Sequence, residues 1–490
     1  MSGGFRNALR RPAVVHPLLF AAYPILFLYA HNIREMSAGQ IAMPLAASIL
    51  STIALWGILS LILRSAVKAG LAATIFLSLF FSYGHFYDLL EKQGAFVPKH
   101  GHLLPTMLLA FGYCVYFIKI ARRDFKVATK ALNAMAIALI AINLFNIGAY
   151  HATAALSSPM HPSGPERLAN ASMDRGRLGA MPDIYLIILD EYAHPDTMRE
   201  YYNYDNSPFL HSLERKGFFI AYNSKTRTGC TQWSIASLLN MEYVNDSEPI
   251  DVAVRRNANN EVVKFLRAKG YRYICFTSPV VFGNEHIDAD LCYDFWGNEG
   301  GIAPRIEFHR LLLKMTMLKP FYNRIFGSQY EEYYRNIVIN TLETLKKMPD
   351  IEGPKFVFAY FMCPHEPFVF GPGGESIGPM DFSNYRDKRF YLGQYIFISR
   401  EIEKVVDEIL RKSAAEPIII IQSDHGLRPH HPGIEVGEDE WRKIFNAYYL
   451  PGDGKGLLYD SISPVNSFRL IFNHYFGADY ILLEDEGRSL

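Results

Sequence analysis

Five long stretches without a formal charge follow one another in the first 150 residues, and this limits what the chain can fold into more than any other feature. No charged residue lies between Arg11 and Arg34, Glu35 and Arg64, Lys68 and Asp88, or Lys99 and Lys119; a fifth apolar run continues from Lys130 to about Tyr150. A bilayer-spanning helix needs about 20 mainly apolar residues, and each run supplies roughly that many. Helices buried in a soluble core keep a polar stripe, and these runs have none. The first run follows Arg6, Arg10 and Arg11 as a signal peptide would. It lacks a small-residue cleavage site and four more runs come after it, so it reads as an uncleaved helix. Residues 1–150 are therefore expected to form a membrane domain of five helices.

Basic residues orient that domain. Arg6, Arg10 and Arg11 precede the first run, Arg64 and Lys68 separate the second and third, and Lys119, Arg122, Arg123, Lys126 and Lys130 separate the fourth and fifth. The alternate loops carry only Arg34, and Lys92 with Lys99. Positive charge stays in the cytoplasm, which places the N-terminus there, and five spans then deliver everything after Tyr150 to the outer face of the inner membrane. Residues 151–182, rich in Ser, Pro, Gly and Ala from Ser157 to Pro182, read as a linker to a domain over 183–490. Forty-nine basic residues balance forty-nine acidic ones, which excludes a dedicated nucleic-acid binder. With half the residues hydrophobic, a disordered chain is excluded as well.

The outer part alternates short apolar runs with helix-like segments. Ile184–Leu189, Tyr273–Phe276, Phe356–Phe361 and Ile418–Ile421 have the continuous apolar character of strands buried on both faces. Between them lie Pro208–Lys216, Asn260–Lys269, Glu331–Lys347 and Arg400–Lys412, so the expected fold is an α/β sheet sandwiched by helices. One further segment, Ile306–Phe326, mixes Leu, Met and Phe with Arg310, Lys314, Lys319 and Arg324. It fits a basic amphipathic element on the membrane surface, and equally a surface helix packed on the domain.

Ligands of such folds gather at the carboxyl ends of strands. Asp190-Glu191 follows the first strand, and Ser423-Asp424-His425-Gly426 follows the last. A carboxylate and an Asp-His pair at equivalent strand ends suit a divalent cation with oxygen and nitrogen ligands, whereas a lone Asp or His would be a cap or a satisfied buried group. Thr231 and Ser234, in Thr228-Gly229-Cys230-Thr231-Gln232-Trp233-Ser234, precede the helical run Ile235–Met241. A hydroxyl there meets free backbone N–H groups that favour an anion; alone, the element reads as an ordinary cap. His365, in Cys363-Pro364-His365-Glu366-Pro367-Phe368, is placed to hold a substrate oxygen or protonate a leaving group, and a bond to a loop carbonyl accounts for it equally well.

Taken together, this order of elements resembles the alkaline phosphatase superfamily, in particular its membrane-bound sulfatase-like branch, which includes lipoteichoic acid synthases and phosphoethanolamine transferases. The resemblance extends over essentially the whole chain, five N-terminal spans included. It implies that Thr231 is the nucleophile and a metal ligand, that Asp424 and His425 are metal ligands, and that His365 contacts substrate. The family's carboxylate ligand falls on Asp190 or on Glu191, and Ser234 would support the start of the helix. The sulfatase Cys-x-Pro-Ser-Arg signature is missing: Cys230-Thr231-Gln232-Trp233 stands in its place, which favours a phospho-threonine over sulfate-ester hydrolysis. Arg227 and Arg428 would add charge for a phosphate, and His430 or His431 a further ligand. The cofactor implied is one or two divalent ions, Mn, Zn or Mg.

The expected activity is a phosphotransferase that moves a phospho-head-group from a membrane phospholipid to an envelope glycan or lipid. A phosphate- or sulfate-ester hydrolase would use the same residues, and a catalytically inactive envelope binding protein is the remaining alternative. Four cysteines lie outside the apolar runs. Cys275 with Cys292 is the pairing favoured by separation, with Cys230 and Cys363 flanking two site elements, and spacing does not determine the connectivity.

Overall fold

The structure, a computed structural model, describes residues 13–33, 39, 41–92, 99–157, 181–244, 247–283, 285–296, 302–378, 387–429, 431 and 433–485. Residues 158–180 of the expected linker lie outside them. The chain divides into two compact units: Met1–Ala171 with Gly300–Ile325, and Ser172–Glu299 with Phe326–Leu490.

The first unit contains α1 (His16–His31), α2 (Ala42–Leu63), α3 (Ala66–Lys92), α4 (His100–Ile120) and α5 (Lys126–Ser157). Four of these, α2 to α5, are long and apolar enough to cross a membrane. The count differs from the five expected because α1 has only 16 residues. At 1.5 Å per residue it is about 24 Å long, short of a hydrocarbon core of about 30 Å. The start of α1 has no side-chain cap of its own. Asn133 of α5 serves instead, its Oδ1 accepting from the Val15 and His16 N–H groups at 3.2 and 2.9 Å.

A segment from the middle of the sequence completes this unit. Helix α6 (Ile302–Met315) buries Phe308 and Leu312 against Ile25 and Tyr29 of α1. Farther on, the Met317 N–H donates to Phe80 O at 3.0 Å, and Lys319 pairs with Asp88 while lying 4.4 Å over the Tyr87 ring. The helix passes so close to α3 at Gly84 that a Cβ there would meet the Lys314 carbonyl oxygen, with Met315 Cα at 2.8 Å. Thus Phe308, Leu312 and Lys319 of this segment pack on the apolar helices.

The second unit is built on one seven-stranded sheet, in spatial order β2-β7-β6-β1-β5-β3-β4. The strands are β1 (Ile184–Leu189), β2 (Phe219–Ile220), β3 (Arg272–Phe276), β4 (Leu291–Tyr293), β5 (Lys355–Phe361), β6 (Ile418–Ser423) and β7 (Asn446–Tyr449). The central strands run parallel, with β7 antiparallel to both β6 and β2. All four strands expected from apolar runs are present. The three missed ones have two to four residues each. Every residue of β1 is buried because helices cover both faces. Tyr185, Ile187 and Leu189 face one core, and Ile184, Leu186 and Ile188 the other. The helix expected from Arg400 begins twelve residues earlier, as α7 (Lys388–Lys412) with Asp387 capping it. No disulfide joins any of the five cysteines, all of them among the described residues. Cys275 and Cys292 are nevertheless register partners on β3 and β4.

Candidate active site

Parallel register assembles the centre of the site. Leu189 of β1 pairs with Ser423 of β6 and with Phe361 of β5, so the residues that follow, Asp190, Asp424 and Met362, leave the sheet side by side. Asp190, Asp424 and His425 are all buried and bring one ligand atom each within 4.8 Å of one another. His425 Nε2 lies 3.6 Å from both Asp190 Oδ1 and Asp424 Oδ2. Those two carboxylate oxygens are buried without a hydrogen-bond partner among the described residues. The opposite oxygens are satisfied: Tyr360 OH donates to Asp190 Oδ2 at 2.5 Å, and the Glu191 and His425 N–H groups donate to Asp424 Oδ1 at 3.1 and 2.9 Å.

Two side-by-side carboxylates with orphaned oxygens are costly, since removing an unpaired charge from water costs several kcal/mol. Burial raises the Asp190 pKa to about 6; the His365 charge opposes this and neighbouring Asp424 adds to it. A divalent cation between Asp190, Asp424 and His425 would remove this penalty, so the donor set fits a metal. The Nδ1 of His425, 2.8 Å from Gly426 O, is held as the donor, which leaves the Nε2 lone pair as an acceptor; in this structure it accepts from Arg428 Nη2, which a metal ion would have to displace. Gly426 is required next to it: a Cβ there would meet the carbonyl oxygens of Glu440 and Lys443.

Glu191 looks elsewhere. Its φ is 54°, in the left-handed region, which turns the side chain away from the direction taken by Asp190. Its Oε1 lies 3.5 Å from His431 Nδ1 and accepts from the Arg428 N–H at 3.3 Å, and its Oε2 lies 3.8 Å from His365 Nε2. Burial alone would raise the Glu191 pKa, but the His431 contact and the charges of His365, His431 and His425 hold it below the usual carboxylate range. Conversely, burial would lower that of His365, yet Asp190 and Glu191 push it up to about 9. The bond to a loop carbonyl is present, with His365 Nδ1 2.7 Å from Glu366 O, while Nε2 faces Glu191.

Thr231 is the first residue of a helix, Thr231–Asn240, with Cys230 before it in extended conformation and no side-chain cap hydrogen bond. Thr231 is therefore not a cap, and the first-turn N–H groups remain available to an anion. Its side chain lies in hydrogen-bonding reach of Tyr360, the residue that donates to Asp190. Ser234, one turn on, donates to Asp424 O at 2.6 Å, which ties this helix to the Asp424 loop instead of capping the start.

Of the two arginines, Arg428 reaches the cluster: Nη2 is 2.8 Å from His425 Nε2, and Nε donates to Gly229 O at 2.9 Å. Arg227 lies over the Tyr243 ring, 5.3 Å from its centroid. His431 is buried at the site and His430 lies outside the described residues. Sequence reading missed Tyr360, Tyr391 and Gln394. Tyr360 was hidden in an apolar strand, and the other two lie in turns of α7 ahead of the segment read as helical.

No protein-family model matches this chain, and no curated protein matches its sequence. Among solved structures the chain is similar to the C-terminal periplasmic domain of EcEptC from Escherichia coli, with 12% identity over 61% of this chain and 85% of that one, TM-score 0.41. It is also similar to the integral membrane protein lipooligosaccharide phosphoethanolamine transferase A (EptA) from Neisseria meningitidis, with 11% identity over 93% and 94%, TM-score 0.38. A third is a protein in the alkaline phosphatase superfamily from Vibrio parahaemolyticus, with 11% identity over 60% and 66%, TM-score 0.37. At 11–12% identity these likenesses do not bear on what the site does.

Proposed function

We propose that this protein is a membrane phosphotransferase that moves a phospho-head-group from a membrane phospholipid to an envelope glycan or lipid through a phosphorylated Thr231. The observation that carries this reading is that orphaned Asp190 and Asp424 oxygens lie just past the carboxyl ends of central strands β1 and β6, where Ser234 ties the uncapped helix start bearing Thr231 to Asp424. Asp190, Asp424 and His425 would hold a divalent ion, Mn, Zn or Mg. When bound, such an ion lowers the pKa of a nearby hydroxyl and neutralises phosphoryl charge. Thr231 gives its hydroxyl proton to solvent and its Oγ1 attacks phosphorus, while the free N–H groups of its helix and Arg428 donate to the phosphoryl oxygens. The bond from phosphorus to the glyceride oxygen breaks, and protonated His365 gives that oxygen its proton. An acceptor hydroxyl, passing its proton to the now neutral His365, then displaces Thr231 from phosphorus, and the Thr231 oxygen regains a proton from solvent.

Supply of a lipid substrate accounts for the apolar unit. We count α1 as a fifth span, since it runs beside α5 from Asn133, bonded to its first N–H groups, to Ile147, packed with Ile25 and Tyr29. That is 14 residues of α5, about 21 Å of helix. With the basic loops inside, this places the N-terminus in the cytoplasm and residues 183–490 outside as the catalytic domain.

The test is to incubate the metal-loaded protein with mixed phospholipids and measure the mass of the Thr231 peptide. A phospho-head-group adduct is expected there, and none with Thr231→Ala. Absence of an adduct, with small phosphate or sulfate esters cleaved, would make the protein a hydrolase.

A further inference from the structure

We infer that Gln394 is a positioning residue for His365, and that one face of α7 sets the spacing between His365 and Glu191; this rests on the reading of His365 as the group that meets substrate. The loop from Cys363 to Phe368 carries two prolines, which have no N–H to offer, so its carbonyls depend on outside donors. Gln394, 1% exposed, provides them. Its Nε2 lies 3.2 Å from Pro364 O, 2.9 Å from His365 O and 3.3 Å from Pro367 O, and its Oε1 accepts from the Val369 N–H at 2.9 Å. Both donors and the acceptor of a single buried amide are thus spent on the backbone that bears His365.

Neighbours on the same helical face hold the opposite wall. Tyr391, one turn earlier, donates to Glu191 O at 2.7 Å and accepts from the Ala193 N–H at 3.1 Å. Tyr395 donates to Ala193 O at 3.1 Å. Residues three and four apart share a helix face, so the His365 loop and the Glu191 turn are both fastened to one rigid element. That arrangement supports the 3.8 Å between His365 Nε2 and Glu191 Oε2, together with the His365 N–H, which donates to Asp190 O at 3.2 Å. Gln394 touches neither group's side chain; it acts through the backbone.

The full-length protein tests this with Gln394→Met, which keeps the length and removes the amide, and Gln394→Glu, which turns an acceptor toward three carbonyls. Loss of such outer support typically costs about 10–100-fold in activity. A loss of that size in kcat with metal content unchanged is expected. Combining Gln394→Met with His365→Ala should cost no more than His365→Ala alone, because the two share one function. A staple that only holds the fold would instead multiply the two losses, and that result, or full turnover in both Gln394 variants, overturns the proposal. A second readout needs no substrate: the rate at which diethyl pyrocarbonate modifies His365, taken against exposed His286 by peptide mass. It should change several-fold in both variants, and an unchanged rate also overturns the proposal. If the wild type turns over no phosphodiester, the functional reading fails and the modification rate alone decides the role of Gln394. Should Gln394→Met not fold, Gln394→Asn replaces it, with the amide one methylene short.

Discussion

Asp190 and Glu191 are chemically alike and adjacent, yet they do different work because one backbone torsion separates them. A positive φ costs a residue other than glycine about 1–2 kcal/mol, and Glu191 carries it at 54°. Its carbonyl is held by Tyr391 and its carboxylate by the Arg428 N–H, which keep it there. Asp190 then faces Asp424 and His425, and Glu191 faces His365 and His431. Asp190→Asn is expected to weaken divalent metal binding at least 10-fold, and Glu191→Gln to leave it nearly intact while turnover falls. Metal content after dialysis against a weak chelator, measured beside activity, checks both. Equal metal loss in the two variants would remove the distinction.

At the level of elements, close approach matters more than apolarity. Helix α6 reaches α3 only because Gly84 has no side chain, and Phe308 and Leu312 are buried in consequence. Gly84→Val forces the two apart, and overpacking of this kind costs about 1–3 kcal/mol. Its midpoint of thermal unfolding in detergent should fall by several degrees. Gly101→Val, on α4 with open space around the position, should leave it unchanged. A similar economy governs the second unit, where strand register delivers Asp190 and Asp424 as neighbours without help from any loop. A slip of one residue in β6 would send Asp424 to the other face of the sheet.

On the scale of the whole chain, the proposed arrangement puts a catalytic unit outside a membrane that its own first helices cross. Cys292, exposed on the edge strand β4, reports on this. A membrane-impermeant maleimide should label it in right-side-out vesicles and not in sealed inverted ones. Labelling only from the inverted side would reverse the assigned orientation.

Much of this was legible in the amino-acid order, because the signals were local. Uncharged runs marked the apolar helices, continuous apolar runs marked the four central strands, strand ends pointed to Asp190, His365, Asp424 and His425, and a helix start pointed to Thr231. Length of an uncharged run is not length of helix, so the span count rested on where α1 begins and ends. The short strands β2, β4 and β7 exist only by pairing with longer neighbours. Which carboxylate faces the Asp424 group depends on a torsion held by residues about 200 positions away. The docking of Ile302–Met315 on α1 and α3, and the amide of Gln394 beneath the His365 loop, likewise join positions that no local pattern connects. Periodicity and chemistry of single segments are properties of the sequence; register, close approach and the sharing of buried hydrogen bonds come into being when distant segments meet.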